Sequence, residues 1–370
     1  MKTISKFTAV ILAASELCLF FPASVSAKAE IDISARSAAL YEPTNREFLY
    51  TKNENERLGM ASTTKIMTAL IAIENLDLSK EIEIDSRAIG IDGSSVYLKE
   101  GEIMSAEALL YSLMLRSAND AAEALAYEIC GDIDSFCYLM NERAKSLSLN
   151  DTHFKNPHGL DADGHYTTAH DLAIITAEAM SNPIFKKISS TYKIIVQSNL
   201  QTRLLVNHNK LLKRYDGCIG VKTGYTKKCG RSLVGAAERN GLTLISVTID
   251  APNDWSDHKK LLDYGFSRVR ALTLIEKGTL SYSLPIKNGE KDIISITNKD
   301  TLRIVYKGNL PEIKREIYAI EFVEKDINAG DSVGTLIYKI NNETVIKTEL
   351  IATETVKKSK KKSFFERIFK

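Results

Sequence analysis

The chain has 370 residues, 44% of them hydrophobic and 26% charged, with a formal charge of +2. Those proportions exclude a disordered or fibrous chain and leave room for two globular domains. Seven Lys/Arg and one Glu lie between Lys357 and Lys370, so the body before them is net acidic, which argues against nucleic acid as a partner.

Lys2 and Lys6 precede an apolar run from Phe7 to Phe21, and Val25-Ser26-Ala27 supplies small residues for cleavage. The run falls short of the roughly 20 residues of a spanning helix, and Glu16 interrupts it. Residues 1–27 therefore read as an export signal. Residues 31–58 read as strand, turn, strand around Glu42-Pro43-Thr44-Asn45. Residues 61–74 carry Ile66, Met67, Leu70, Ile71 and Ile73 at helical spacing. Further helices are predicted over 106–116, 119–129, 135–147 and 168–180, the last stopped by Asn182-Pro183. Strands follow at 219–222, 232–237 and 242–249, then a helix over 255–266. Strands at both ends of a helical middle predict an α+β domain over 28–268, with an antiparallel sheet assembled from distant segments. Residues 269–352 shift to short alternating segments, at 293–296, 302–306, 317–322, 336–340 and 344–350, with Asn341-Asn342 as a hairpin turn. A small β-rich domain is expected there. Residues 353–370 form a basic tail in which Phe364, Phe365, Ile368 and Phe369 would share one helical face, a pattern suited to a membrane surface.

Three short motifs carry chemistry. In Ser62-Thr63-Thr64-Lys65 the lysine returns to the serine's face of a helix, where a neutral amine can act as its base. Neutrality requires a pKa lowered from about 10.4, by burial or by a second cation. Lys222, in Lys222-Thr223-Gly224, is the candidate second cation. Ser117, in Ser117-Ala118-Asn119, can pass a proton between Lys222 and a leaving amine, and Asn119 can bind a substrate amide. Lys222 and Thr223 suit a terminal carboxylate, and Gly224 permits close approach to the strand. The backbone N–H groups of Ser62 and Tyr225 are expected to form an oxyanion hole. Taken singly, each motif has an ordinary reading as a helix cap or turn. Their order and placement together predict an acylating serine enzyme whose catalytic residues are Ser62, Lys65 and Ser117, needing neither metal nor cofactor.

With these motifs, Asn156-Pro157-His158-Gly159-Leu160, the Asn-His-Asn-Lys-Leu-Leu stretch at 207–212 and Gly220-Val221-Lys222-Thr223-Gly224-Tyr225-Thr226, the chain resembles the serine-type D-Ala-D-Ala carboxypeptidases, the low-molecular-mass penicillin-binding proteins. The resemblance implies a transpeptidase/β-lactamase-like domain with a helical subdomain, followed by a small all-β domain. It implies removal of the terminal D-alanine from peptidoglycan stem peptides through an acyl-enzyme on Ser62, with β-lactam antibiotics as inhibitors, at the outer face of the cytoplasmic membrane or in the cell wall. His208 stands where such proteins often have arginine. A serine β-lactamase or a DD-endopeptidase on the same fold is the nearer alternative; Glu178 and Asn182 loosely echo a β-lactamase's deacylating pair. A zinc peptidase using His158, His165 and His170 with Asp161, Asp163 and Asp171 lacks helical ligand spacing. A wall-binding scaffold with a decayed site conflicts with the three intact motifs. Cys130, Cys137, Cys218 and Cys229 are either free thiols or two bridges; a Cys218–Cys229 bond would brace the Lys222 strand.

Overall fold

A computed structural model of the protein describes residues 31–287, 289–324 and 326–357. The expected export signal and residues 358–370 of the tail lie outside the described residues. Strands β1 (Ser37–Glu42) and β2 (Glu47–Lys52) form the first hairpin. A 3-10 turn, Ala61–Thr64, leads into α1 (Lys65–Asn75), so the expected single helix begins as a tighter turn. Ile66, Met67, Leu70 and Ile71 are buried along α1, each contributing about 1.5–3 kcal/mol by removal from water. A ribbon of β3 (Glu81–Glu83) and β4 (Ile103–Ser105) precedes α2 (Ala106–Arg116), α3 (Asn119–Cys130) and α4 (Ile133–Ser146). Ser105 and Asp132 cap α2 and α4 by accepting hydrogen bonds from Ala108 N and Ser135 N.

Helix α5 (Ala169–Ser181) begins at the Thr168 cap. Asn182-Pro183 ends it but also starts α6 (Pro183–Ser190), which the sequence reading omits. The Asn182 side chain accepts from Ile184 N at 2.9 Å, and Pro183 fills the first helical position, where no N–H is needed. Next come a hairpin of β5 (Lys193–Gln197) and β6 (Thr202–Val206), the short α7 (Leu211–Arg214), and three long strands. These are β7 (Cys218–Thr226), β8 (Gly230–Arg239) and β9 (Leu242–Ile249), with α8 (Asp254–Arg268) closing the domain. β1 pairs antiparallel with β9, Ala39 opposite Val247, giving the sheet order β2-β1-β9-β8-β7. The sheet is thus built from the two ends of the domain, as expected. One of its two edge strands is β7, so the Lys222 segment is paired within this sheet on one side, to β8.

The second domain opens with β10 (Val269–Ile275), followed by β11 (Tyr282–Pro285), β12 (Ile293–Asn298), β13 (Leu302–Lys307), β14 (Ile313–Ala319), β15 (Ser332–Ile340) and β16 (Thr344–Ala352). Its main sheet runs β11-β12-β16-β15-β14, and β10 pairs with β13. Leu284, Ile294, Ile296, Leu336 and Leu350 form a core of its own. Asn341 and Asn342, in the three-residue loop of the β15–β16 hairpin, have φ 51° and 61°, left-handed values that such short connections use. Strand contacts continue past β16, where Val356 bridges Ile327.

Candidate active site

Ser62 lies in the 3-10 turn and Lys65 opens α1. Side chains three apart eclipse one another in a 3-10 turn, and Lys65 Nζ stands 3.2 Å from Ser62 Oγ. The lysine is fully buried. Its amine also donates to Asn119 Oδ1 and to the His158 carbonyl, both at 2.6 Å. Burial first, and the charge of Lys222 second, hold its pKa well below the ordinary lysine range, against an opposing pull from Asp120. A neutral amine has two N–H donors and one lone pair. With both donors engaged by Asn119 and His158, the lone pair is left for the Ser62 hydroxyl proton.

Lys222 is likewise buried, and desolvation lowers its pKa to about 7. Its amine reaches Ser117 Oγ at 3.0 Å and the Thr223 carbonyl at 2.9 Å. Ser117 caps α2 with φ 60°, and Ala61, just before Ser62, has φ 48°. Left-handed backbone costs such residues on the order of 1–2 kcal/mol. Both serine-bearing turns carry such a residue.

The Asn156–Leu160 loop, quoted in the sequence reading without a role, seats the nucleophile turn. Asn156 Oδ1 accepts from His158 N and Gly159 N, and Asn156 Nδ2 donates to the Leu160 carbonyl. That fold aims the His158 carbonyl at Lys65. Gly159 has φ 91°, and a Cβ there would lie 1.9 Å from the Ala61 carbonyl oxygen, so no side chain fits. Gly224 is constrained from the other side: a Cβ would lie 3.1 Å from Ser62 N and 3.2 Å from the Met60 carbonyl. Its close approach is thus to the Ser62 turn itself. Asn119 gives its carbonyl to Lys65 and one N–H to the Asp92 carbonyl at 2.5 Å. One N–H remains for a substrate amide, so the residue first of all holds the lysine.

A cleft of about 710 Å³ opens over these groups, with Ser62, Ser117, Thr223, Gly224 and Tyr225 among its lining residues. Tyr225 is 63% exposed at its mouth. His208 also lines it; desolvation, then Lys222 and Arg116, push its pKa to about 4, so the imidazole is neutral at pH 7.

Among the described residues no group of three or more His, Cys, Asp or Glu is placed to hold a metal. His158 faces Glu123 at 3.3 Å, His165 Nε2 meets Thr64 Oγ1 at 2.8 Å, and His170 stacks on Phe48. Glu178 pairs with Arg143 at 2.7 Å, and Asn182 caps α6. All four described cysteines are free. A Cys218–Cys229 brace is ruled out because Cys218 begins β7 and Cys229 lies beyond its far end, about 26 Å along a nine-residue strand.

The family model described as D-alanyl-D-alanine carboxypeptidase matches residues 23–253, and that of the penicillin-binding protein 5 C-terminal domain matches residues 271–358. The D-alanyl-D-alanine carboxypeptidase DacF of Bacillus subtilis is 33% identical over 349 residues, covering 91% of this chain and 90% of its own. Among solved structures, the D-alanyl-D-alanine carboxypeptidase DacD of Francisella tularensis matches with TM-score 0.64 at 25% identity, covering 90% of this chain and 96% of its own. A serine-to-alanine mutant of the Streptomyces K15 DD-transpeptidase matches with TM-score 0.62 at 32% identity, covering 64% of this chain and all of its own.

Proposed function

The chain belongs to the D-alanyl-D-alanine carboxypeptidase family, and from that premise we propose that it hydrolyses the terminal D-alanine from peptidoglycan stem peptides through an acyl-enzyme on Ser62. The observation that carries this reading is the buried Lys65 amine, lowered in pKa and 3.2 Å from Ser62 Oγ. Ser62 attacks the penultimate carbonyl carbon while its proton passes to Lys65. The backbone N–H groups of Ser62 and Tyr225 stabilise the oxyanion. As the C–N bond breaks, the departing amine takes a proton from Ser117, which Lys222 replenishes. Water then attacks the ester, giving up a proton through Ser117 to Lys222, while Lys65 returns its proton to the departing Ser62 oxygen. Thr223 donates to the substrate's terminal carboxylate, with Lys222 beside it supplying charge when protonated.

The assay is release of free D-alanine from an N-acyl peptide ending in D-Ala-D-Ala. The expected outcome is stoichiometric D-alanine and a shortened peptide; an intact peptide under conditions where the protein is folded contradicts the proposal. The same cleft would take penicillin as a mimic of that dipeptide. Glu178 lies on Arg143 rather than in the cleft, which favours a long-lived adduct over β-lactamase turnover. The Streptomyces DD-transpeptidase likeness leaves an amine acceptor as the other fate of the acyl-enzyme.

Export through residues 1–27 and docking of the basic tail on an anionic membrane surface complete the proposal, placing the enzyme at the outer face of the cytoplasmic membrane. Each basic residue near such a surface contributes about 1 kcal/mol. Deleting residues 358–370 is expected to move the protein from the membrane to the soluble fraction. Unchanged sedimentation with membranes contradicts the tail's role without touching the chemistry.

A further inference from the structure

One wall of the cleft carries more positive charge than the reaction uses. Lys210, Lys213 and Arg214 line it together with His208. They flank or form α7, the short turn that packs beside β7. All three cations are exposed. Asp254, the acid among the cleft's lining residues, is already bound to Arg231 at 2.9 Å. The ammonium of Lys213 is held over the Tyr192 ring, 4.0 Å from its centroid, which keeps it at the wall instead of sweeping solvent. Lys222 does not serve in their place, because it is buried and its charge already goes to the terminal carboxylate. The cleft therefore presents unmatched cations beyond those that the scissile dipeptide needs.

Resting on the proposed reaction, we infer that this rim is a specificity site for a second carboxylate, carried on a side chain of the peptide in addition to its C-terminal one. Arginine and lysine are the donors that carboxylates select, arginine by its planar fork and lysine as a point charge. A set of exposed cations facing one cleft also raises the local concentration of an anionic substrate, an effect that salt removes. A peptide with an amide in place of that carboxylate keeps the reacting dipeptide but loses the rim.

The test uses two N-acyl peptides ending in D-Ala-D-Ala, identical except that the residue before the dipeptide carries a side-chain carboxylate or its carboxamide. With the native chain, kcat/KM is expected to favour the carboxylate about tenfold, mostly through KM, and the preference is expected to shrink between about 0.05 M and about 0.5 M salt. Lys210→Ala and Arg214→Ala should each remove about threefold, and the double variant nearly all of the preference, with turnover of the carboxamide unchanged. Equal rates for the two peptides overturn the inference. So does a double variant that loses both peptides alike, since the rim would then serve the terminal carboxylate. The chain's one tryptophan, Trp255, lines the same cleft, so its fluorescence reports binding to a Ser62→Ala variant independently of turnover. If no D-alanine is released, the proposed reaction fails, and this binding difference still decides whether the rim reads the carboxylate.

Discussion

Replacing Lys65 by methionine is expected to slow acylation of Ser62 by penicillin by about 10³-fold, within the range of a lost general base. Stopped-flow capture of a fluorescent penicillin reads the rate directly. Methionine fills the fully buried site as far as the lysine's Cε, so the loss is of the amine rather than of the apolar packing. It also leaves Asn119 Oδ1 and the His158 carbonyl without their donor, at about 1–3 kcal/mol each, and the melting temperature should fall by several degrees. An unchanged acylation rate would remove Lys65 from the chemistry. The pH profile tests the cause. Lys65 must be neutral to act, so acylation rises with pH as it loses its proton. The nearby charge of Lys222 lowers the Lys65 pKa, which moves that rise to lower pH. Lys222→Gln removes the charge and lets the Lys65 pKa climb. The acid limb of kcat/KM should therefore move to higher pH. A limb that stays in place, or moves to lower pH, contradicts the coupling.

Gly159→Ala is expected to cost on the order of 10²-fold in acylation although residue 159 takes no part in proton transfer, because a displacement near 1 Å of a reacting group has that effect. The new Cβ would lie 1.9 Å from the Ala61 carbonyl oxygen and 2.8 Å from Thr64 Oγ1. The Ser62 turn must move to admit it. The left-handed backbone adds about 1–2 kcal/mol of strain for any residue with a Cβ. Gly164→Ala separates the two effects. Gly164 has φ 81°, but its Cβ would meet only the flexible end of Lys155, at 3.4 Å, and His153 beyond it. That variant should lose stability while keeping its acylation rate. Equal kinetics for the two variants would mean that the loop does not position the nucleophile.

The parts of the site that depend on side-chain identity were legible in the sequence. Ser62 meets Lys65 and Ser117 meets Lys222; the first contact follows from local helical spacing, the second from the assembled fold. Contributions made by backbone were not legible. The His158 carbonyl, which holds the lysine, could be carried by any residue at that position; the cue was Gly159, whose positive φ aims the loop. The role of Gly224 was displaced for a related reason, since only the assembled fold shows that β7 presses on the Ser62 turn. The hairpin of β5 and β6 escaped notice because both its faces carry apolar residues. Ile195 and Leu204 pair across the exposed face, while Val196 and Leu205 are buried on the other, so no clean alternation marks it. Helix α6 was hidden because Asn182-Pro183 is both a stop and a start. β10 and β11 went unread, although the β-rich character of their domain was plain from its neighbours.

The most direct measurement is intact mass after exposure to benzylpenicillin, with peptide mapping of the product. The account predicts one covalently bound penicilloyl group on the peptide containing Ser62, and no adduct on a folded Ser62→Ala variant. An adduct on another residue, or a folded native chain that takes up none, would contradict it.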